Sequence, residues 1–204
     1  PTVQHCHIEN HVCTAHMEAG RIVVTSSTQI PHIVRRVVGQ ALGVDWGKIR
    51  VIKPYIGGGF GNKQDILYEP LCAWLCMQLG GHLVKLDVPR EDTFVSNRVR
   101  HAIRSHIISW VRPDGTYAAR KLEAYSDQGA YASHGHSIAA KGAGAFPQLY
   151  PCDNVEADAY TVFTNKSVAG AMRGYGIPQA MWAVECHTED VAAKLHIDLV
   201  EFRR

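Results

Sequence analysis

A chain of 204 residues, 46% hydrophobic and 20% charged, has an ordinary globular composition and enough length to bury a core. A formal charge of +2 with scattered Lys and Arg argues against a nucleic-acid partner. No apolar run approaches the ~20 residues that span a bilayer, so no membrane partner is expected. The opening "PTVQHCHIEN" lacks the charged start and apolar stretch of a signal peptide. The six cysteines (6, 13, 72, 76, 152, 186) lack the density of a disulfide scaffold, so reduced thiols and a cytoplasmic location are expected. The last residues, "DLVEFRR", look like a helix capped by Asp198 that has barely begun, and we read the chain as a fragment of a larger protein.

In chain order, "RIVVTSS" (21–27) reads as a strand. "IPHIVRRVVGQALG" carries Ile30, Ile33, Val34, Val37, Val38 and Leu42 at helical spacing and closes on Gly43. "KIRVIKPYI" is a second strand. "QDILYEPLCAWLCMQLGG" reads as a helix with Leu67, Leu71, Leu75 and Leu79 on one face. "HLVKLDV" is a third strand, and "RSHIISWV" and "YAARKLEAYSD" form a hairpin across "RPDG". "ASHGHSIAAKGAGAFPQLY" shows no periodicity and reads as a long loop. "VEADAYTVFTN" is a strand and "PQAMWAVECHTEDVAAKLHI" a closing helix. The class is α+β, with layered mixed sheets and packed helices.

Between the second strand and its helix lies "GGGFGNKQ" (57–64), echoed by "GYGIPQ" (174–179). Both contain Gly-aromatic-Gly-x-x-Gln after a strand and before an apolar helix. The echo suggests two similar units of structure, about 1–100 and 101–204, each offering a glycine-flanked ring. Two such rings suit a flat molecule. Gly57, Gly58, Gly59 and Gly61 let backbone N–H groups converge near a helix N-terminus, which favours anionic or oxygen-rich groups. The spacing fits neither a phosphate loop nor the dinucleotide fingerprint. A tight turn is the plain alternative, but a turn does not need Phe60.

Taken with "AMRGYGIPQ" (171–179), "SSTQIPHIVRRVVGQALG" (26–43) and "HCHIENHVC" (5–13), this loop resembles the molybdenum-binding large subunit of the xanthine dehydrogenase/aldehyde oxidase family. The resemblance runs through essentially the whole chain. It implies that family's molybdopterin-binding fold and a molybdopterin cofactor carrying molybdenum, in the cytosine dinucleotide form for a bacterial source. It also implies electron-accepting iron-sulfur and FAD centres on partner chains or domains, and an oligomeric parent. The implied reaction is hydroxylation of a carbon beside a ring nitrogen, in a purine or other N-heterocycle of xanthine or hypoxanthine type, with water as oxygen donor. Other readings stay open: a family member acting on aldehydes or other heterocycles, or an inactive cofactor-binding and assembly module.

Carried over, the resemblance gives cofactor-binding roles to Gln29, Gly58, Gly59, Phe60, Gly61 and Arg173. Of these, Gln29, Phe60 and Arg173 form the molybdenum environment. Tyr175 matches an aromatic that stacks on substrate. Lys141 falls where purine-oxidising relatives place an arginine, and Gln64 where they carry a glutamate. The family's glutamate base has no counterpart in this stretch; neither Glu69 nor Glu185 sits in its motif. The stretch alone is therefore expected to hold no molybdenum and catalyse nothing.

His5, His7, His11, Cys13 and His16 invite a zinc reading, but their spacing matches no standard finger. We read them as loop histidines with a semi-buried thiol, and "SHGHS" (133–137) as a glycine-containing loop. Trp46, Trp74, Trp110 and Trp182 are expected in core or interface, and Cys72, Cys76 and Cys186 packed within helices.

Overall fold

The computed structural model describes residues 3–204, and the chain divides into two compact units, Pro1–Val99 and Arg100–Arg204. In the first unit, strands β1 (Val12–Glu18) and β2 (Arg21–Ser26) form an antiparallel hairpin in which Glu18 faces Arg21. The turn between them places Ala19 and Gly20 at φ +46° and +72°, the left-handed pair that matches the strands' own twist. Helix α1 (Pro31–Leu42) then crosses to β3 (Ile49–Ile52), which pairs parallel with β2. Helix α2 (Glu69–Gln78) leads to β4 (Val84–Asp87), antiparallel to β1, giving the sheet order β3-β2-β1-β4. A short helix α3 (Arg90–Ser96) comes next.

Strand β1 was hidden behind its histidines and cysteine. Its alternation is regular: Cys13 and Ala15 are buried, and Thr14 and His16 lie half-buried on the other face. The core of this unit joins Ala15, Val24, Val34, Val38, Ile49, Cys72, Ala73 and Cys76.

Helix α2 departs from the sequence reading in two ways. It begins at Glu69, because Asn62–Gln64 forms a separate 3-10 turn and the Glu69 carboxylate accepts from the Leu67 and Tyr68 amides, both at 3.2 Å. Its buried face is Glu69, Cys72, Ala73 and Cys76, whereas Leu71 and Leu79 are 49% and 56% exposed. Volume decides between the two stripes. Small Cys and Ala side chains let the helix sit close on the sheet, and the Cys72 thiol donates to the Val84 carbonyl at 3.6 Å.

The second unit repeats the first five elements of that order, strand-strand-helix-strand-helix, and has no counterpart of β4. Strands β5 (Ala102–Val111) and β6 (Tyr117–Gly129) are antiparallel across a turn in which Asp114 accepts from the Thr116 amide. Helix α4 (Gly135–Ala145) crosses to β7 (Val155–Phe163), parallel to β6, in a sheet of order β5-β6-β7. Helix α5 (Ile177–Leu195) and the short α6 (Leu199–Phe202), capped by the Asp198 carboxylate, complete the unit. Leu122, Ala124, Phe146 and Val184 form its core.

The expected long loop at 132–150 is therefore a correction: most of it is α4, which runs on into a 3-10 turn at Phe146–Gln148. Gly135, Ile138, Ala139, Gly142 and Ala145 are its buried face. They have helical spacing, but glycine and alanine give so little contrast in hydropathy that the period was invisible. Of the two places expected for the tryptophans, the core is excluded: Trp46, Trp74, Trp110 and Trp182 are 47%, 47%, 53% and 72% exposed. Cys72 and Cys76 are buried as expected, but Cys186 lies on an exposed face of α5. All six cysteines are free thiols. Among the described residues, no helix is long and apolar enough to cross a membrane.

Candidate functional site

The two Gly-aromatic-Gly segments share a backbone. Phe60 and Tyr175 both sit at φ +53°, and the glycines next in the chain, Gly61 and Gly176, at φ +106° and +92° with ψ −25°. The Asn62 amide donates to the Gly59 carbonyl at 2.9 Å, and the Ile177 amide to Gly174 at 3.1 Å. A left-handed aromatic residue costs roughly 1–2 kcal/mol and persists only where its surroundings hold it. Beyond these glycines the two loops diverge. Gly176 caps α5 directly, with Pro178 in the first turn, whereas Gly61 leads into the 3-10 turn and α2 starts only at Glu69. The expected helix N-terminus beside the first loop is thus absent.

The first loop is held from below by charge. Lys63, fully buried, lies 2.5 Å from the Glu9 carboxylate and 2.7 Å from the Ser27 hydroxyl. Ser27 also donates to Glu9, and the Gly57 amide donates to the same carboxylate oxygen at 3.0 Å. Burial alone would raise the Glu9 pKa, but the bonds from Lys63, Ser27 and Gly57 outweigh it and carry the group down to about 2. Burial pulls the Lys63 ammonium down, against the support of Glu9. One layer up, the Gln29 Oε1 accepts from the Gly61 amide at 3.0 Å, while the Gln29 backbone amide donates to the Lys63 carbonyl at 2.8 Å. A Cβ on Gly59 would overlap the Gln29 side chain.

The histidines brace this network. His7 Nδ1 donates to the Glu9 carbonyl, its Nε2 accepts from Asn62 at 3.0 Å, and His11 Nδ1 accepts from Asn97 at 3.1 Å. Burial, with the neighbouring His7, pushes His11 down to about 4, so it is neutral. His5, His7 and His11 lie in the loop before β1, as expected, and are buried; His16 is a correction, lying within strand β1, and Cys13 is fully rather than partly buried there. Among the described residues, no group of three His, Cys, Asp or Glu is placed to hold a metal ion.

In the second loop, Arg100 donates to the Arg173 carbonyl at 2.9 Å and to the Gln179 side chain at 3.3 Å, and Gln179 donates to the His101 carbonyl at 3.0 Å. The Tyr175 hydroxyl and His134 Nδ1 lie 2.8 Å apart. A Cβ on Gly176 would overlap the Ile138 carbonyl of α4, so only glycine fits there.

Of the residues singled out from sequence, Gln29, Gly58, Gly59, Phe60, Gly61 and Gln64 gather on the first loop and its flanks. Phe60 is 44% exposed, and Gln64 lies half-buried in the 3-10 turn. Arg173 and Tyr175 share the second loop, the first exposed and the second half-buried, and Lys141 is exposed on α4. Sequence reasoning missed Glu9, Lys63, His134 and Gln179. A lysine inside a glycine run was the available signal for the ion pair, since a flexible turn needs no charge there.

A family model described as the molybdopterin cofactor-binding domain matches residues 1–204. The chain is 50% identical over 204 residues to the xanthine dehydrogenase molybdenum-binding subunit of Escherichia coli O157:H7, covering all of this chain and 27% of that protein. It is 34% identical over 184 residues to the nicotinate dehydrogenase large molybdopterin subunit of Eubacterium barkeri, covering 90% of this chain and 43% of that one. Among solved structures, the aldehyde oxidoreductase of Desulfovibrio gigas superposes with a TM-score of 0.91 at 28% identity, covering 99% of this chain and 22% of that chain. The chain therefore spans about a quarter of the length of the first of these relatives.

Proposed function

Because this chain belongs to the molybdopterin cofactor-binding domain family, we propose that it is the cofactor-holding part of a molybdenum hydroxylase acting on a purine or related N-heterocycle. The observation that carries this reading is Gln29. Its Oε1 is fixed by the Gly61 amide, which leaves Nε2 without a protein partner among the described residues, beside a loop whose glycines clear the approach. An amide donor held that way suits the oxygen or sulfur ligands of a molybdenum centre. The fit is also steric: Gly59 admits no side chain against Gln29.

Gln29, Phe60 and Arg173 would hold the molybdenum environment, with Gly58, Gly59 and Gly61 lining the cofactor through their backbones. The molybdopterin, in its cytosine dinucleotide form, supplies the two-electron redox chemistry when bound. The net reaction replaces a ring C–H with C–OH, taking oxygen from water and releasing two protons and two electrons. Those electrons would pass to iron-sulfur and FAD centres on other chains or domains of an oligomeric parent.

This chain's own residues bind and orient. Tyr175 offers a ring to a flat substrate, Lys141 a cation without the bidentate fork of an arginine, and Gln64 an amide in place of a carboxylate. Gln64 donates or accepts at a purine edge but moves no proton, so the proton-transfer group belongs to the rest of the parent. The division into two similar units is part of this reading, each unit carrying one ring-bearing loop.

The test uses the full-length protein. Molybdenum near one atom per chain, release of CMP on acid hydrolysis, and hydroxylation of purines with oxygen from labelled water are expected. A metal-free protein, or one that turns over aldehydes but no N-heterocycle, would overturn the reading. The stretch 1–204 alone is expected to hold no molybdenum.

A further inference from the structure

Helix α4 was expected to be loop, and it braces the second loop at two points. Its Ile138 carbonyl meets the backbone of Gly176, where no side chain fits. At its N-cap stands His134, whose Nδ1 lies 2.8 Å from the Tyr175 hydroxyl. The two rings meet edge to face, with centroids 5.8 Å apart and planes at 75°. Tyr175 itself is held at φ +53°, so backbone strain presents the ring and leaves its side-chain torsions to be set by a neighbour.

We infer that His134 is a positioning residue for substrate recognition: through the phenol–imidazole bond it fixes the tilt of the Tyr175 ring. This rests on the reading of Tyr175 as the ring that meets substrate. A phenylalanine in that place would keep the stacking face but lose the tether. The hydroxyl therefore serves orientation, not stacking area. A fixed face favours a rigid bicyclic ligand, which needs one plane, over a small monocyclic one that tolerates several. Lys141 lies seven residues along the same helix from His134, so one rigid element carries both the tether and the cation proposed for substrate.

The test is a double-mutant cycle in the full-length holoenzyme with Tyr175→Phe, His134→Leu and the pair. Uric acid serves as a bicyclic probe that cannot be hydroxylated further, its Kd read by calorimetry beside KM for a bicyclic and a monocyclic substrate. Either single change is expected to weaken uric acid binding about two- to tenfold, the range of one hydrogen bond. The double variant should be no worse than either, the bicyclic substrate should suffer more than the monocyclic, and molybdenum content and melting temperature should stay at wild-type values. Additive losses, an unchanged Kd, or a Kd that moves only together with melting temperature would overturn the assignment. His134→Gln, which keeps a polar partner for the hydroxyl, should recover part of the affinity; no recovery beyond His134→Leu also counts against it. A wild-type protein without molybdenum would sink the functional reading, and the uric acid cycle would still decide the role of His134.

Discussion

The two Gly-aromatic-Gly loops solve one backbone problem with different chemistry. Both hold an aromatic residue in the left-handed region, next to a glycine that must be there too. The first is pinned by the buried Lys63 ammonium on the part-exposed Glu9 carboxylate, reinforced by Ser27 and Gly57. The second is tied by a guanidinium on a carbonyl, an amide, and an imidazole on a phenol. A buried ion pair is rigid but brittle: remove one partner and the other is left uncompensated. Hydrogen bonds of the second kind fail singly and mildly. The difference teaches that identical dihedrals can rest on very different sensitivities.

The sharpest way to break the comparison is Glu9→Leu. It strands the fully buried Lys63 ammonium and is expected to cost about 3–5 kcal/mol in denaturant unfolding, with hydrogen exchange at Gly57 and Gly61 rising first. Arg100→Gln in the second loop should cost no more than about 1.5–3 kcal/mol. Equal losses would erase the distinction.

Glycine substitutions come next. Gly61→Ala asks a side chain to occupy φ +106°, at roughly 1–2 kcal/mol. Gly176→Ala adds an overlap with the Ile138 carbonyl and should cost more, read as the larger fall in melting temperature.

Acid should separate the loops further. Glu9 and His11 both have folded pKa values below their ordinary ones, about 2 against 4.5 and about 4 against 6.5. The unfolded chain therefore takes up protons first, and stability falls as pH falls. The His11 share is lost between about 6.5 and 4, and the Glu9 share between about 4.5 and 2. Glu9→Gln should flatten the lower limb of a denaturation-midpoint profile and leave the upper limb in place. A lower limb unchanged by that variant would remove Glu9 from the account.

The smallest expected effect on stability belongs to Gln64→Glu, about 1 kcal/mol or less at this half-buried position. Its readout is the order in which purines are preferred, with metal content unchanged.

Much of this was legible beforehand. The alternating strands, α1 with its glycine stop, and the paired aromatic motifs come from periodicity and turn chemistry, and the α+β class comes from them. The rest was hidden for physical reasons. In α2 the leucines were louder than the small Cys72, Ala73 and Cys76, yet close approach to the sheet selects small volumes. In α4 the glycine-alanine face carries shape but almost no hydropathy. In β1 the imidazoles drew attention to ligation, while the alternation of Cys13 and Ala15 carried the strand. At the site, the motifs identified what lines the loops; what tethers them, Glu9 and His134, lies in quoted stretches that gave neither residue a role, and appears only once the chain is folded.

The thiols in the first unit have a practical consequence. Cys13, Cys72 and Cys76 are sealed between β1 and α2, while Cys6 and Cys186 are exposed. An alkylating reagent should therefore reach Cys6 and Cys186 at once, the half-buried Cys152 less readily, and the three sealed thiols in a slow phase gated by opening of the first unit. Since all three sealed sulfurs belong to that unit, the slow phase is a clock for its breathing alone. Counting adducts on the peptides that carry Cys13, Cys72 and Cys76 over time would report the local opening rate without any probe being added to the protein.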